Sequence, residues 1–444
     1  MTIQIRPIGG YQEVGRNMVA IKVDNEVVIF DMGLHMPNYI TLTDDEEHER
    51  ISTDILRQGN ALPDDTVLED WKDKVKAIIP SHAHLDHIGA IPWMASEYNC
   101  PIVATPFSMA VLRKILRDER FTLPNKMIEV ESNETYKISE HLSVEFIHMT
   151  HSIPQTCMLA LHTPYGVVLY ADDFKFDNTP ILESKPNYKA LERIAKIGVK
   201  AAIVDCLYAP VEEKTPSEAV AKEMLKEVLL DMDTKGKAVI VTTFSSHIAR
   251  LQSIVECGRK MKRKIVFCGR SLAKYVEAAE EVGLVKFSGM VEICAFPKHV
   301  AKKMKMVMHE GTEKYLFVVT GHQGESKAIL SKIANRTLPL QLRKGDFVVF
   351  SCKTIPVPIN LEQRQVLEEK LAEYHVRMFK NVHVSGHPAK EDLREFLNMV
   401  KPQHIIPFHG VPKMSKALQQ LGLEHSYKQE EIHIVNNGQT ITFK

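Results

Sequence analysis

Short apolar runs broken by polar turns fill the first half of the chain, at 3–8, 18–23, 27–30, 75–80, 144–149, 167–171 and 201–204. Runs of this length, rich in Val and Ile and bounded by turn residues, predict strands. The early ones follow one another through tight turns such as Asp24-Asn25, then alternate with helical patterns such as 108–117. That mixture of meander and crossover predicts a layered α/β sandwich. A polar, acidic stretch at 38–66, with Asp44-Asp45-Glu46-Glu47 inside it, interrupts the pattern and reads as a surface insertion.

From about 208 the rhythm changes to regular strand–helix alternation. Strands are predicted at 237–242, 265–268, 315–319 and 346–351, with helices starting near Ser246, Ser271, Gly324 and Leu361. This is the pattern of a parallel sheet covered by helices. Ile355-Pro356-Val357-Pro358 reads as a rigid connector near the end of the segment. Beyond 375, strands at 381–384 and 404–407 each lead to a His-bearing loop and a helix. A hairpin, 431–435 with 440–443, is predicted to close the chain through an Asn437-Gly438 turn. The divisions expected are 1–207, 208–374 and 375–444, the first and third forming one domain around the second.

Charge refines this division. The chain of 444 residues is neutral overall, with 56 basic and 56 acidic residues. Residues 208–374, however, carry 27 basic against 20 acidic side chains, the bias expected of a surface that meets phosphates. Seven scattered cysteines without a C-x-x-C pair argue against a disulfide framework and for a reducing, cytoplasmic setting. No apolar run approaches the length of a membrane span, so no membrane partner is expected.

The chemistry concentrates in Ser81-His82-Ala83-His84-Leu85-Asp86-His87, directly after a predicted core strand. Imidazoles and a carboxylate are donors that zinc and similar ions prefer. A strand-end loop can aim alternate side chains to opposite sides of one small volume, so His82 and His84 can serve one metal while Asp86 and His87 serve another. Further donors end other strands: Asp31, His151, Asp172 with Asp173, and His409.

The order of these pieces resembles the metallo-β-lactamase superfamily, an αβ/βα sandwich with a dinuclear metal site along one edge. By that resemblance His82, His84 and His151 hold one metal, and Asp86, His87 and His409 the other. Asp173 bridges them, with Asp172 as its rival for that role, and Asp31 orients ligands from behind. The long insert, followed by Val384-Ser385-Gly386-His387, resembles the β-CASP nucleases, with Asp205, His387 and His409 at their three extra motifs. Gly9-Gly10, Glu13-Val14-Gly15-Arg16-Asn17-Met18, Asp173-Phe174-Lys175-Phe176-Asp177, Gly269-Arg270-Ser271 and Thr320-Gly321-His322-Gln323-Gly324-Glu325 are most similar to the ribonuclease J family in its shorter, archaeal form.

What the resemblance implies is a metal-dependent ribonuclease, mainly a processive 5′→3′ exonuclease that prefers 5′-monophosphate ends. Its rivals are an endonuclease of the mRNA 3′-end-processing type and a non-catalytic RNA-binding scaffold. Two divalent ions are implied, zinc first, with manganese accepted by the same ligands. His387 would act as the acid, Asp205 would support it, and Asp86 would serve both catalysis and metal binding. Ser385, Gly386, Arg270, Ser246 and His322 would hold RNA or its 5′ phosphate. Single-stranded RNA is the implied partner and a homodimer the implied assembly. The basic runs 259–264 and 302–305 are candidate contacts to RNA backbone, or else ordinary solvated helix faces.

Overall fold

A computed structural model describes residues 2–44, 51–355 and 357–444. The chain divides into two compact units: residues 1–178, 183–215 and 385–444 form the first, and 179–182 with 216–384 the second.

The first unit is built on two mixed sheets. In one, the strands run edge to edge as Ile441–Phe443, Ile3–Gly9, Met18–Val23, Glu26–Phe30, Val75–Ile79, Ile102–Ala104 and Met127–Glu129. In the other the order is Ile405–Phe408, Val199–Asp205, Gly166–Ala171, Cys157–Thr163, Ser143–His148 and Thr135–Lys137. Alternation along the strands sends Ile3, Val19, Val28 and Ile79 of one sheet against Phe146, Leu159 and Tyr170 of the other, and this shared layer is fully buried. The opposite face of the second sheet is covered by the helices Tyr188–Ile197, Lys390–Val400 and Pro412–Glu424 through Leu191, Ile194, Phe396 and Leu418. The helix Pro106–Asp118 lies against the strand Met127–Glu129 of the first sheet.

The second unit is one parallel sheet, ordered Val291–Cys294, Lys264–Cys268, Tyr315–Val319, Val239–Thr242, Phe347–Phe350 and Arg377–Phe379. Its central strands are buried along their whole length, which is why they read as unbroken apolar runs. Among the described residues, no helix is long and apolar enough to cross a membrane.

Several local expectations change. The closing hairpin does not form: Ile441–Phe443 pairs antiparallel with Ile3–Gly9 instead, and Ile432 makes only an isolated bridge to Ile405. The last strand thus gains a buried partner at the edge of the first sheet, with Phe443 in the core. Residues 381–384 are irregular, not a strand. The insert was expected to end at 374, but Arg377–Phe379 pairs with Phe347–Phe350, which carries the second unit on to Val384. Pro358 opens the helix Pro358–Glu373 within that unit, and Pro356 of the expected connector lies outside the described residues. Of the acidic stretch, 45–50 lie outside the described residues. The flanking segments form the helices Met36–Asp44 and Thr53–Gln58, and Ile51, Leu56 and Leu62 are buried in the body of the unit.

Candidate metal centre

Six strands of the first unit deliver their C-terminal ends to one edge of the sandwich. Asp31 follows Glu26–Phe30, and the run 81–87 follows Val75–Ile79. His151 follows Ser143–His148, Asp172 and Asp173 follow Gly166–Ala171, Asp205 ends Val199–Asp205, and His409 follows Ile405–Phe408. Asp31 and His409 turn the backbone into the left-handed region, with φ of 57° and 55°. For side chains that are not glycine this costs on the order of 1 kcal/mol, the kind of strain that packing around a functional edge sustains.

One cluster brings together His82, His84, His151 and Asp173. His82 Nε2 lies 3.1 Å from His84 Nδ1, which lies 3.2 Å from His151 Nε2. Asp173 Oδ2 is 3.6 Å from His82 Nε2 and 3.4 Å from His151 Nε2. Four donors around a tetrahedral ion at zinc–nitrogen bond lengths stand about 3.3 Å apart, so these separations fit one metal. A single turn of helix, Leu85–Ile88, then carries the next two candidate donors, Asp86 and His87. They form a second cluster of Asp86, His87 and His409. Asp173 borders this one too, with Oδ2 3.6 Å from His87 Nε2 and Oδ1 4.0 Å from His409 Nε2.

Groups behind the rings set which nitrogen faces inward. His151 Nδ1–H donates to the Gly386 carbonyl at 2.7 Å, and His82 Nδ1 lies 3.0 Å from Ser81 Oγ, which donates to Asp172 at 2.6 Å. His87 Nδ1 meets Asp31 at 2.8 Å and Asp172 at 3.0 Å. Asp31 also accepts from the Ser81 amide at 2.7 Å and the Tyr170 hydroxyl at 2.8 Å. His409 Nδ1–H donates to Asn17 Oδ1 at 3.0 Å. These contacts turn the Nε2 atoms of His82, His87, His151 and His409 toward the centre, where Asn17 Nδ2 lies 2.8 Å from that of His87, while His84 faces it through Nδ1. Asp172 therefore sits on the Nδ1 side of His82 and His87, while Asp173 sits on the Nε2 side.

The electrostatics point the same way. Burial, with neighbouring imidazoles, holds His84 and His151 well below the usual histidine range and His82 at about 4, so these rings are neutral donors. Burial would lower His87 as well, but Asp172, Asp86, Asp173 and Asp31 outweigh it and push the ring well above its ordinary value. Burial and the charge of Asp172 raise Asp173. Asp172 Oδ1 and Asp173 Oδ1 are buried without a hydrogen-bond partner. Such orphaned carboxylate oxygens are costly, and so much buried negative charge calls for a cation. The residues fit a metal-binding site.

His387 stands beside this centre and is half-buried. Its Nδ1 lies 2.8 Å from Asp205 Oδ2 and 3.7 Å from Asp173 Oδ1, and its ring stacks at 9° on His409 with centroids 5.6 Å apart. The ring is also part of a grouping with Asp173 and His409. The Ser385 hydroxyl accepts from the His387 amide at 3.1 Å. On the second unit, Ser246, Arg270 and His322 all follow strands at the C-terminal edge of the parallel sheet, with Arg270 exposed and His322 edge-on to Phe244.

Three supporting residues were not singled out from the sequence. Asn17 was visible only as part of a motif and Ser81 as the start of the histidine run, while Tyr170 is indistinguishable from a core strand residue. Their roles depend on contacts made far along the chain, from Asn17 to His409 and from Tyr170 to Asp31.

Comparison with known proteins follows this layout. Residues 12–204 match the metallo-beta-lactamase superfamily, 236–366 the beta-CASP domain of ribonuclease J, and 373–435 the Zn-dependent metallo-hydrolase RNA specificity domain. The chain is 42% identical to ribonuclease J of Methanocaldococcus jannaschii, covering 100% of this chain and 99% of that one. It is also 42% identical to ribonuclease J of Pyrococcus abyssi, covering 99% and 97%. With ribonuclease J2 of Bacillus subtilis the identity is 27%, over 100% of this chain and 75% of the other. A crystal structure of an Enterococcus faecalis protein of unknown function shares the fold at a TM-score of 0.67 and 16% identity, covering 100% of each chain.

Proposed function

Because the chain belongs to the ribonuclease J family, with a β-CASP domain inserted into a metallo-β-lactamase domain, we propose that it is a metal-dependent ribonuclease. It hydrolyses phosphodiester bonds of single-stranded RNA, mainly as a processive 5′→3′ exonuclease acting from 5′-monophosphate ends. The observation that carries the reading is the carboxylate-paired imidazole, His387 with Asp205 at 2.8 Å, set beside two donor clusters, Asp173 belonging to the first and bordering the second.

His82, His84 and His151 would hold one divalent ion and Asp86, His87 and His409 a second, with Asp173 common to both. We take the ions to be zinc, with manganese accepted. What the pair supplies when bound is Lewis acidity, neutralising charge on the scissile phosphate and acidifying water. The chain's own groups do the rest. Asp205 accepts a hydrogen bond from His387 Nδ1–H and stabilises the charged ring, which leaves Nε2–H to deliver a proton to the departing 3′ oxygen. Asp86 stays anionic in the centre even without a cation, and Asp31 and Asp172 hold the rings in register from behind. The Ser385 hydroxyl and Gly386 amide, and on the insert Arg270, Ser246 and His322, are the donors assigned to RNA and its 5′ phosphate. A cytoplasmic homodimer completes the reading, its assembly checked by light scattering.

The test is His387→Ala. It is expected to abolish hydrolysis of 5′-labelled monophosphate RNA while metal analysis still finds two ions per chain. Loss of an ion would instead make His387 a ligand, in keeping with its place near Asp173 and His409. In the same time course the wild type should release mononucleotide first, and internal fragments appearing first would assign it as an endonuclease.

A further inference from the structure

The two basic runs of the insert meet different fates. In 259–264, Arg263 is consumed by the carbonyls of Lys237, Tyr315 and Thr234, and Lys264 by Glu310. Arg259 and Lys260 close the last turn of the helix Ile248–Lys260, where cations offset the helix dipole. These positions have an explanation within the fold.

The second run lies on the helix Pro297–Glu310, and there the fold explains only Lys303. That side chain turns inward, pairs with Glu292 at 2.6 Å and sits over the Tyr315 ring. Val300, Met304 and Val307 complete the buried face. The outer face carries Lys298, His299, Lys302, Lys305 and His309, all exposed, at spacings of three and four residues that align them in one stripe. The helix has no acidic residue before Glu310, which is itself bonded to Lys264 and Tyr315. Like charges at these spacings repel, and Lys298 sits at the helix N-terminus, where a cation opposes the dipole. The helix Pro358–Glu373 of the same unit shows the ordinary arrangement, with Arg364–Glu368 and Lys370–Glu373 pairs. A single-sign stripe therefore destabilises its helix with no return inside the fold. At its head stands Phe296, 59% exposed, with its ring edge-on to His299.

We propose that this helix face is an auxiliary RNA-binding surface, separate in sequence from every residue assigned to the metal centre, on which lysines track the phosphates of a single strand and Phe296 stacks on a base. The inference rests on the ribonuclease reading above. A single strand is the occupant because it presents both features at once, a run of phosphates and unpaired base faces, and base–aromatic stacking needs the latter. An acidic surface without bases would engage the lysines alone.

The test uses the full chain loaded with metal. RNAs of about 5 and about 30 nucleotides bracket the footprint of a typical single-strand site. Lys298→Ala, Lys302→Ala and Lys305→Ala are combined in one variant, and Phe296→Ala is made separately. Three released counterions correspond to about 2 units in the slope of log affinity against log salt. The triple variant should therefore lose that much slope on long RNA, so that a fourfold rise in salt costs wild type roughly 20-fold more affinity than the variant. Turnover of the short RNA should be unchanged in both variants, and Phe296→Ala should weaken long-RNA binding with the salt slope retained. A wild-type slope and affinity in the triple variant overturn the proposal, as does a loss confined to binding of anionic phospholipid vesicles. If wild type itself fails to hydrolyse RNA, the ribonuclease reading has failed instead, and the two failures are read from different proteins.

Discussion

Gly386→Ala is the sharpest probe of how the Ser-Gly-His loop supports the centre. A Cβ on Gly386 would stand 2.7 Å from His151 Nδ1, 2.9 Å from its Cε1 and 2.9 Å from the backbone nitrogen of Ser152. Carbon–nitrogen contacts relax at about 3.4 Å or more, so the ring and the 151–152 backbone must both give way by about half an ångström. The φ of Gly386 is outside the left-handed region, so alanine adds no backbone strain to confuse the result. The displaced ring loses its 2.7 Å bond to the Gly386 carbonyl, which is what presents Nε2 to the cluster. Loss of such an outer partner costs about 10–100-fold in metal affinity, or about 1.4–2.7 kcal/mol. The assay is competition of metal-depleted protein against a chromogenic chelator, fitted to two sites. One site should weaken by that factor while the other moves little, and the forced shift should also destabilise the metal-free protein by on the order of 1–3 kcal/mol. Wild-type affinity at both sites would refute the argument that this loop orients His151.

Two predictions concern stability. Glu183 accepts from the Gln155 amide through both carboxylate oxygens at 3.0 Å, and burial raises it from its ordinary value to about 7. The folded state then holds a proton that the unfolded state has released between about pH 4.5 and 7, so stability falls as pH rises through that window. Glu183→Gln, which keeps an acceptor and removes the charge, should stabilise the protein at pH 8 by on the order of 1–3 kcal/mol and make no difference below about pH 4 in urea titrations; an equal effect at both pH values would refute it. In the insert, Glu218 forms a two-point pair with fully buried Arg250, at 2.5 and 2.9 Å, and also meets His247 at 3.3 Å. Glu218→Gln leaves the guanidinium uncompensated and should cost about 3–5 kcal/mol, read as a lower denaturation midpoint; a loss below about 1 kcal/mol would show that the Ser351 and Val382 carbonyls, which also accept from Arg250, suffice.

The sequence was most legible where one side chain had one dominant environment. The strand ends carrying Asp31, His82, His151, Asp173, Asp205 and His409 follow from apolar runs, and the structure brings all of them to one edge. It was least legible where an outcome depended on a partner far along the chain. The pattern of 440–443 fits a hairpin as well as the edge pairing with Ile3–Gly9, and only the empty edge of the first sheet decides between them. Arg377–Phe379 is too short to register as a strand until Phe347–Phe350 stands beside it. The basic runs failed for a related reason. Lys302 and Lys303 are neighbours in sequence, yet helix geometry sends one to solvent and the other to Glu292.

Asp172 and Asp173 show how far such reasoning can reach. Consecutive residues leaving a strand point to opposite sides, so the pair could not both face the same side of the histidine rings. Periodicity alone requires that they differ and is silent on which lies on which side. The choice is made by the residues behind the rings. Ser81 donates to Asp172 at 2.6 Å, and the Nδ1 atoms of His82 and His87 lie 3.3 and 3.0 Å from the same oxygen. Asp173 then remains on the Nε2 side, within 4.0 Å of His82, His87, His151 and His409 alike. Asp172 also reaches one ring of each cluster, but from the Nδ1 side, and only a carboxylate on the Nε2 side of both can be shared by two ions. Asp172, which meets its rings from behind, can orient both sets of ligands without belonging to either.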